Sequence, residues 1–342
     1  MAKVVTFGEI MLRLSPPGFE RFLQTSTFVA TFGGGEANVA VSLAQFGVES
    51  VYVTALPKHA IGEAAVRALR TEGVHTQHII RSGDRIGIYY AEAGASQRAS
   101  QVIYDRARSS IAEMRADAIN WRAAFDGASW FHVTGITPAL GAQAADATSR
   151  AIDTAHNAGV KVSVDLNYRK KLWTEAKAQE VMGPLMRNVD VVIANEEDLQ
   201  SVLGVHVPGT DVTSGQLNIE GFRAAAERVT RDFGPPMVAI TLRESVSASD
   251  NGWSAALWEA ATGTMHRSQR YDVRLVDRIG GGDSFAAGLI YGLVTGRSPH
   301  DALRFAVAAS ALKQSIPGDF NRVTVDEVDR LAAGDASGRV QR

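Results

Sequence analysis

Apolar residues along this chain fall into short β-branched runs separated by longer amphipathic stretches, the pattern of strands alternating with helices. Val4, Val5 and Phe7, ahead of Gly8, mark a buried strand over residues 3–11. Residues 13–31 read as irregular, because Pro16, Pro17 and Gly18 break any helix. A helix opens at Phe32-Gly33-Gly34-Gly35-Glu36-Ala37-Asn38-Val39-Ala40 and runs to about Gln45. Phe46-Gly47-Val48 ends it, and Val51-Tyr52-Val53 starts a strand. The same punctuation recurs at Glu72-Gly73-Val74 before His78-Ile79-Ile80, and at Ala158-Gly159-Val160 before Lys161-Val162-Ser163-Val164-Asp165. Glycine just past a helix followed by a β-branched run signals a helix-to-strand crossover. Further strands are expected at 130–133, 189–194 and 237–242, with helices at 142–156, 175–186 and 221–233. The alternation predicts an α/β fold with a parallel, helix-flanked sheet.

Two segments break the alternation. Residues 86–93 and 101–106 read as paired strands joined by a Gly94-Ala95-Ser96 turn, forming a small antiparallel sheet with part of 13–31. Residues 253–258 and 265–273 form a second hairpin-like pair. Two helices then follow at 283–295 and 299–314, the second with Ser298 as N-cap and Pro299 at N1. Tyr271 and the tryptophans read as packing residues.

Composition narrows the function more than the fold. The chain has 342 residues, 45% hydrophobic and 21% charged, with a formal net charge of −2. Nothing in that balance points to nucleic acid or to an anionic membrane as a partner. Zero cysteines exclude a disulfide framework, a thiol nucleophile and a thiolate metal site. No run is apolar enough to span a bilayer and the first residues lead straight into a strand, so a cytoplasmic protein is expected.

The candidate chemistry lies at two glycine-rich helix starts. In the second, Asp277-Arg278-Ile279-Gly280-Gly281-Gly282-Asp283-Ser284, three glycines leave backbone N–H groups uncovered where a helix begins. Such a turn cradles an anion such as phosphate. Asp283 there reads either as a base working beside the phosphate or as an ordinary first-turn acid. No G-x-x-x-x-G-K-[ST] and no G-x-G-x-x-G after the first strand is present, which disfavours P-loop and dinucleotide-binding readings. Zinc-protease and nucleophile-elbow motifs are absent as well.

The stretch Gly33 to Ala40 resembles the amino-terminal Gly-Gly…Asn-x-Ala signature of ribokinase-like (PfkB) sugar kinases, and Asp277 to Asp283 resembles their carboxy-terminal signature. The resemblance runs from the first strand to about Val328. Within the family the chain is similar to the 2-keto-3-deoxygluconate kinases, through Gly8 to Leu14, Asp165 to Trp173, Thr241 to Ser245 and Ile316 to Asn321. It departs from the pattern at Arg278, where a small or hydroxylated residue is usual, at Gly281, usually Ala, and at Asp198, where Asn-x-x-Glu ends in Glu. The fold implied is a ribokinase-like α/β three-layer sandwich with a mostly parallel central sheet and a small β-sheet lid. The domain would cover 1–334, with lid segments at about 10–35 and 84–108 and a frayed tail at 335–342.

The resemblance also implies roles. Asp283 is the base that takes a proton from the sugar hydroxyl as it attacks the γ-phosphate of ATP. The N–H groups of Gly280, Gly281 and Gly282 receive the charge that develops on the phosphoryl group. Gly34, Tyr90, Tyr104, Arg106, Arg169 and Asp319 face the substrate. Tyr89 and Tyr90 point to opposite faces of a strand, and Tyr90 is preferred for its spacing to Tyr104. Arg106 and Arg169 suit a sugar acid, because guanidinium grips carboxylate bidentately. Asn167, Asn195, Thr241, Arg243, Ser245, Gly280 and Gly282 lie along ATP, and Mg²⁺ is expected near Glu197 or Asp198, largely through water. The implied reaction is phosphorylation of 2-keto-3-deoxygluconate to its 6-phospho product. A fructokinase-like enzyme, or a non-catalytic sugar or nucleotide sensor, are the alternatives. Self-association through the lid would cover its open sheet face.

Overall fold

Along each central strand, neighbouring residues enter opposite layers of the molecule. Val4, Trp130, Val191, Ile193 and Ala239 pack on one side, while Val5, Phe131, Val192, Ala194 and Val238 pack on the other. A period of two with both faces buried is why these strands read as continuous apolar runs. The computed structural model describes residues 2–208, 218–335 and 338. Of the expected tail at 335–342, only Asp335 and Gly338 fall among them.

The main sheet has the order Thr264–Arg267, Asp250–Glu259, Met237–Ser245, Val191–Ala194, Lys161–Asp165, Trp130–Thr134, Lys3–Phe7, Glu49–Val53. From Met237–Ser245 to Glu49–Val53 the pairing is parallel; Asp250–Glu259 and its partners Thr264–Arg267 and Tyr271–Arg274 are antiparallel. Helices Gly35–Gln45, Gly281–Val294, Pro299–Lys313 and Val325–Ala332 cover one face. Helices Ala142–Asn157, Glu175–Leu185 and Ile219–Phe233 cover the other, giving the ribokinase-like three-layer sandwich. No helix of the described residues is long and apolar enough to cross a membrane.

The expected strand over 3–11 is in fact two. It stops at Phe7, and a second strand, Met11–Ser15, joins another sheet. Gly8 sits at the break because a Cβ there would collide with the buried Glu36 carboxylate. Residues 13–31 are likewise not all irregular. Met11–Ser15 pairs antiparallel with Val29–Gly33 and parallel with Gly87–Glu92, which pairs antiparallel with Gln101–Asp105. Those four strands form a separate small sheet beside the main one. The strand expected at 78–80 shrinks to Ile80–Arg81, paired with Ala55–Leu56 outside both sheets.

The helix that carries Asp283 is seated by small residues. A Cβ on Gly288 would lie 2.7 Å from Ala306 Cα, and one on Gly292 would lie 2.6 Å from Ala302 Cβ. Gly281–Val294 and Pro299–Lys313 therefore touch backbone to backbone, which fixes the height of the helix start over the sheet.

Candidate active site

The carboxyl ends of the parallel strands open into a cleft of about 480 Å³, lined on one wall by the small sheet and on another by the Asp277–Asp283 turn. Open α/β sheets bind their ligands at this end.

Gly280 is left-handed at φ 86 and caps the Gly281–Val294 helix. A Cβ there would run into the carbonyl oxygen of Asp319, so only glycine fits. Gly282, which lines the cleft, is the reverse case: nothing lies within 4 Å of its absent Cβ. Of the first-turn N–H groups, that of Gly281 donates to the Arg278 carbonyl at 3.3 Å, and the others at this helix start are the ones suited to an anion. Asp283 projects from it, mostly buried, and Asn38 Nδ2 donates to its Oδ2 at 2.7 Å. Burial pushes the Asp283 carboxyl up to about 6, against the lowering effect of the Asn38 hydrogen bond; Asp319 raises it further, and Arg169 and Lys313 lower it. A carboxylate with its pKa just below neutral is a suitable general base at pH 7.

The small sheet supplies the other wall. Tyr89, not Tyr90, faces the cleft: its hydroxyl donates to Asp319 Oδ2 at 2.5 Å, and its ring packs 6.0 Å from that of Tyr104. Tyr90 lies on the outer face, edge-on to Phe28, because consecutive strand residues alternate. Asp319 also accepts from Arg13 Nη1 at 2.7 Å, while Arg13 Nη2 bridges to Asp277 at 2.7 Å. Arg106 lies over the Tyr104 ring at 5.3 Å, and its Nε and Nη2 both go to Glu9 Oε2, leaving Nη1 outside that pair. Arg169 is exposed at the cleft rim, with Nη1 donating to the carbonyl of Tyr168 at 2.9 Å. Gly34 also lines the cleft, and a Cβ on it would strike the Glu9 carbonyl, so close packing accounts for that glycine.

Across the cleft lie Asn167, Asn195, Thr241, Arg243 and Ser245, joined by Asn251, Trp253 and Arg278. Asn167 takes a left-handed φ of 40. Asn195 and Asp198 form a capping box on Glu196–Leu203. Asp198 Oδ1 accepts from Tyr168 N at 2.8 Å and Oδ2 from Asn195 N at 3.3 Å, and burial holds its carboxyl up at about 6. Both oxygens of Asp198 are thus occupied by backbone, whereas Glu197 is exposed towards the cleft. Asp165, 8% exposed at the end of its strand, also faces the cleft, and burial together with Asp198 and Asp283 pushes its pKa well up. Among the described residues no three acidic or histidine side chains stand close enough to hold a metal directly. Glu197 and Asp165 are the cleft carboxylates that would meet such an ion through its water shell.

Several site residues carry no role from the sequence alone. Glu9, Arg13, Glu36, Asn38, Tyr89 and Asp165 hold the site or line it. Glu36 Oε1 accepts from Thr134 N, Thr134 Oγ1 and Thr137 Oγ1 at 2.9, 2.9 and 2.6 Å, tying the first helix to the strand end; burial raises it to about 7. The signal that would have found Glu9, Thr134 and Asp165 is their place at or just beyond the carboxyl end of a parallel strand. Trp253, read as packing, is buried and also lines the cleft.

The chain belongs to the pfkB family of carbohydrate kinases, whose profile matches residues 1–321. It is accordingly a phosphotransferase acting on an alcohol group. A solved structure of 2-dehydro-3-deoxygluconokinase from Thermotoga maritima is 50% identical, with a TM-score of 0.94 over 98% of this chain and 100% of that one. The 2-dehydro-3-deoxygalactonokinase of Haloferax volcanii is 33% identical over 98% of both chains. The 2-dehydro-3-deoxygluconokinase of Bacillus subtilis is 30% identical, covering 94% of this chain and 93% of that one. A ribokinase-like structure from E. coli with ATP and Mg²⁺ shares the fold at a TM-score of 0.79 and 18% identity.

Proposed function

We propose that this chain transfers the γ-phosphoryl group of ATP to the 6-hydroxyl of 2-keto-3-deoxygluconate. The observation that carries this reading is one cleft holding Asp283 on the glycine turn and, on the sugar side, Arg106 and Arg169. Asp283 accepts the hydroxyl proton as the sugar oxygen bonds to phosphorus and the bond from phosphorus to the β,γ-bridging oxygen breaks, releasing ADP. The amides at Gly280–Gly282 receive the charge that develops on the phosphoryl oxygens. Arg169 and the free edge of Arg106 take the sugar carboxylate, and Tyr104 and Asp319 border the sugar. Thr241, Arg243, Ser245, Asn167 and Asn195 lie along the nucleotide. Mg²⁺, when bound to the phosphates, spreads their charge, with Glu197 and Asp165 as the residues that would hold its water shell.

The small sheet acts as a lid that excludes water from the transfer. Ile103 is exposed on the Tyr90 face of the sheet, Phe28 is exposed beside Tyr90, and Phe19 and Leu23 are exposed in the loop that precedes Val29–Gly33, which supports self-association on that side. Light scattering that returns the monomer mass would overturn that part.

The relatives differ in the sugar acid their names give, so the test compares both epimers. ATP- and Mg²⁺-dependent ADP release is measured with 2-keto-3-deoxygluconate, its galacto epimer, fructose and ribose. Activity with the sugar acids and loss of it in Arg169→Ala supports the reading; activity with neutral sugars alone overturns the substrate. The Glu9–Arg106 pair, which uses two of the guanidinium nitrogens, is the observation that favours a neutral sugar as the second reading.

A further inference from the structure

Lys313, the last residue of the Pro299–Lys313 helix, is 0% exposed. Its Nζ donates only to backbone carbonyls, that of Asp277 at 3.2 Å and that of Ile316 at 3.4 Å. No carboxylate forms an ion pair with it among the described residues. Its Cε lies 3.1 Å from where a Cβ on Gly280 would stand, so the ammonium group sits directly behind the glycine turn. An ammonium ion buried on two carbonyls is an expensive way to fill space, and leucine or methionine would pack there without desolvating a charge. The two carbonyls belong to the segments that Arg13 also bridges, through the side chains of Asp277 and Asp319.

We propose that Lys313 is a positioning residue for phosphoryl transfer, pinning the Asp277–Gly282 turn to the Ile316–Asp319 turn and fixing a positive charge beneath the Gly280–Gly282 amides. This rests on the kinase reading of the cleft given above. The charged groups facing the ammonium are Asp277, Asp319, Asp283 and Arg13. Burial lowers its pKa, and the three carboxylates oppose that shift. Those facing Asp283 are Asp319, Arg169, Lys313 and Asp165, with Asn38 hydrogen-bonded to it. Lys313 acts on the same anion as the amides but touches neither substrate nor reacting atoms.

The test uses Lys313→Met, a neutral chain of similar length, and Lys313→Gln, which keeps a donor but no charge. Lys313→Arg, which keeps the charge, is the third variant, and thermal melts show which of them fold. On whichever sugar the wild type phosphorylates, the neutral variants are expected to lose about 10²–10³-fold in kcat, as for loss of an oxyanion donor. KM for the sugar should stay within about threefold, and Lys313→Arg should lose less than either neutral variant. The acid limb of the kcat/KM profile should move to higher pH in the neutral variants, because a cation that favours ionised Asp283 is gone. Calorimetric binding of ADP with and without fluoroaluminate reads the same charge without turnover: the added affinity from fluoroaluminate should fall in Lys313→Gln while ADP alone binds as before. Wild-type kcat, acid limb and fluoroaluminate increment in a folded neutral variant would overturn the proposal. A wild type inactive on every sugar but retaining the fluoroaluminate difference would refute the substrate and leave Lys313 standing.

Discussion

Asn38 and Asp283, 245 positions apart, meet side chain to side chain at 2.7 Å. Asn38 Oδ1 also accepts from the Gly34 amide at 3.3 Å, so one amide group fixes the first glycine turn and aims the carboxylate on the second. The two glycine signatures therefore build a single object, with Asn38 as its joint.

On the proposed reading Asp283 serves as the base in its ionised form, and its pKa is held at about 6, mainly by burial. The kcat/KM profile is expected to fall below about pH 6, and Asp283→Asn should reduce kcat by about 10²–10⁴-fold. A flat profile from pH 5 to 8 would exclude Asp283 as the titrating group.

The same shift bears on stability with the opposite benefit. Because the folded pKa is raised above the ordinary 3.8, folding favours the protonated form, and that preference is lost as pH rises through about 6. Above that pH, ionisation costs at most about 3 kcal/mol, less for a side chain at an open cleft. Asp283→Asn should raise Tm at pH 8, with the gain disappearing near pH 4. An equal gain at both pH values would show that charge is not the cause.

The two glycines of the turn should respond differently to alanine. Gly280→Ala places a Cβ against the Asp319 carbonyl in a left-handed residue and should lower stability by at least about 1–3 kcal/mol. Gly282→Ala meets nothing and should melt like wild type while activity drops, since it adds a methyl to a residue that lines the cleft. Chemical denaturation and turnover of the pair separate the two effects.

Tyr89→Phe removes the hydroxyl that holds Asp319 and should lower kcat/KM for the sugar by about 10–100-fold, the range for a hydrogen bond to a charged group. Tyr90→Phe, on the outer face, should change it by less than about twofold. Steady-state kinetics with varied sugar decides between the neighbours.

Arg278 lines the cleft beside Arg243, with its pKa lowered by burial and by that neighbour, and forms no ion pair among the described residues. Arg278→Ala should raise KM for ATP about tenfold and leave KM for the sugar unchanged, as expected for a charged contact to phosphate. Equal effects on both would indicate a disturbed turn instead.

The sheet, its helix layers and the two glycine turns were legible because each rests on local rules: period-two burial, glycine after a helix, serine and proline at a helix start. What the sequence could not show is pairing between distant side chains. The Asn38 amide, Arg13 spanning two carboxylates, and Glu9 holding Arg106 are set by how separate loops stack at one end of the sheet. The choice between Tyr89 and Tyr90 failed for a related reason. Alternation says that the two face opposite ways, but which face looks inward depends on the neighbouring strand, Met11–Ser15, hidden behind a proline-rich stretch.

Eight carboxyl side chains line the cleft against four guanidiniums. A wall so acidic is poorly matched to ligands that are themselves anions, unless other cations arrive with them. Several of those carboxyls, Glu36, Asp165, Asp198 and Asp283 among them, already have pKa values pushed well up from the ordinary carboxylate range, chiefly by burial. Anionic ligands should therefore bind together with protons, and the heat of binding should change with the ionisation enthalpy of the buffer. In such a site affinity is a property of the medium as much as of the protein.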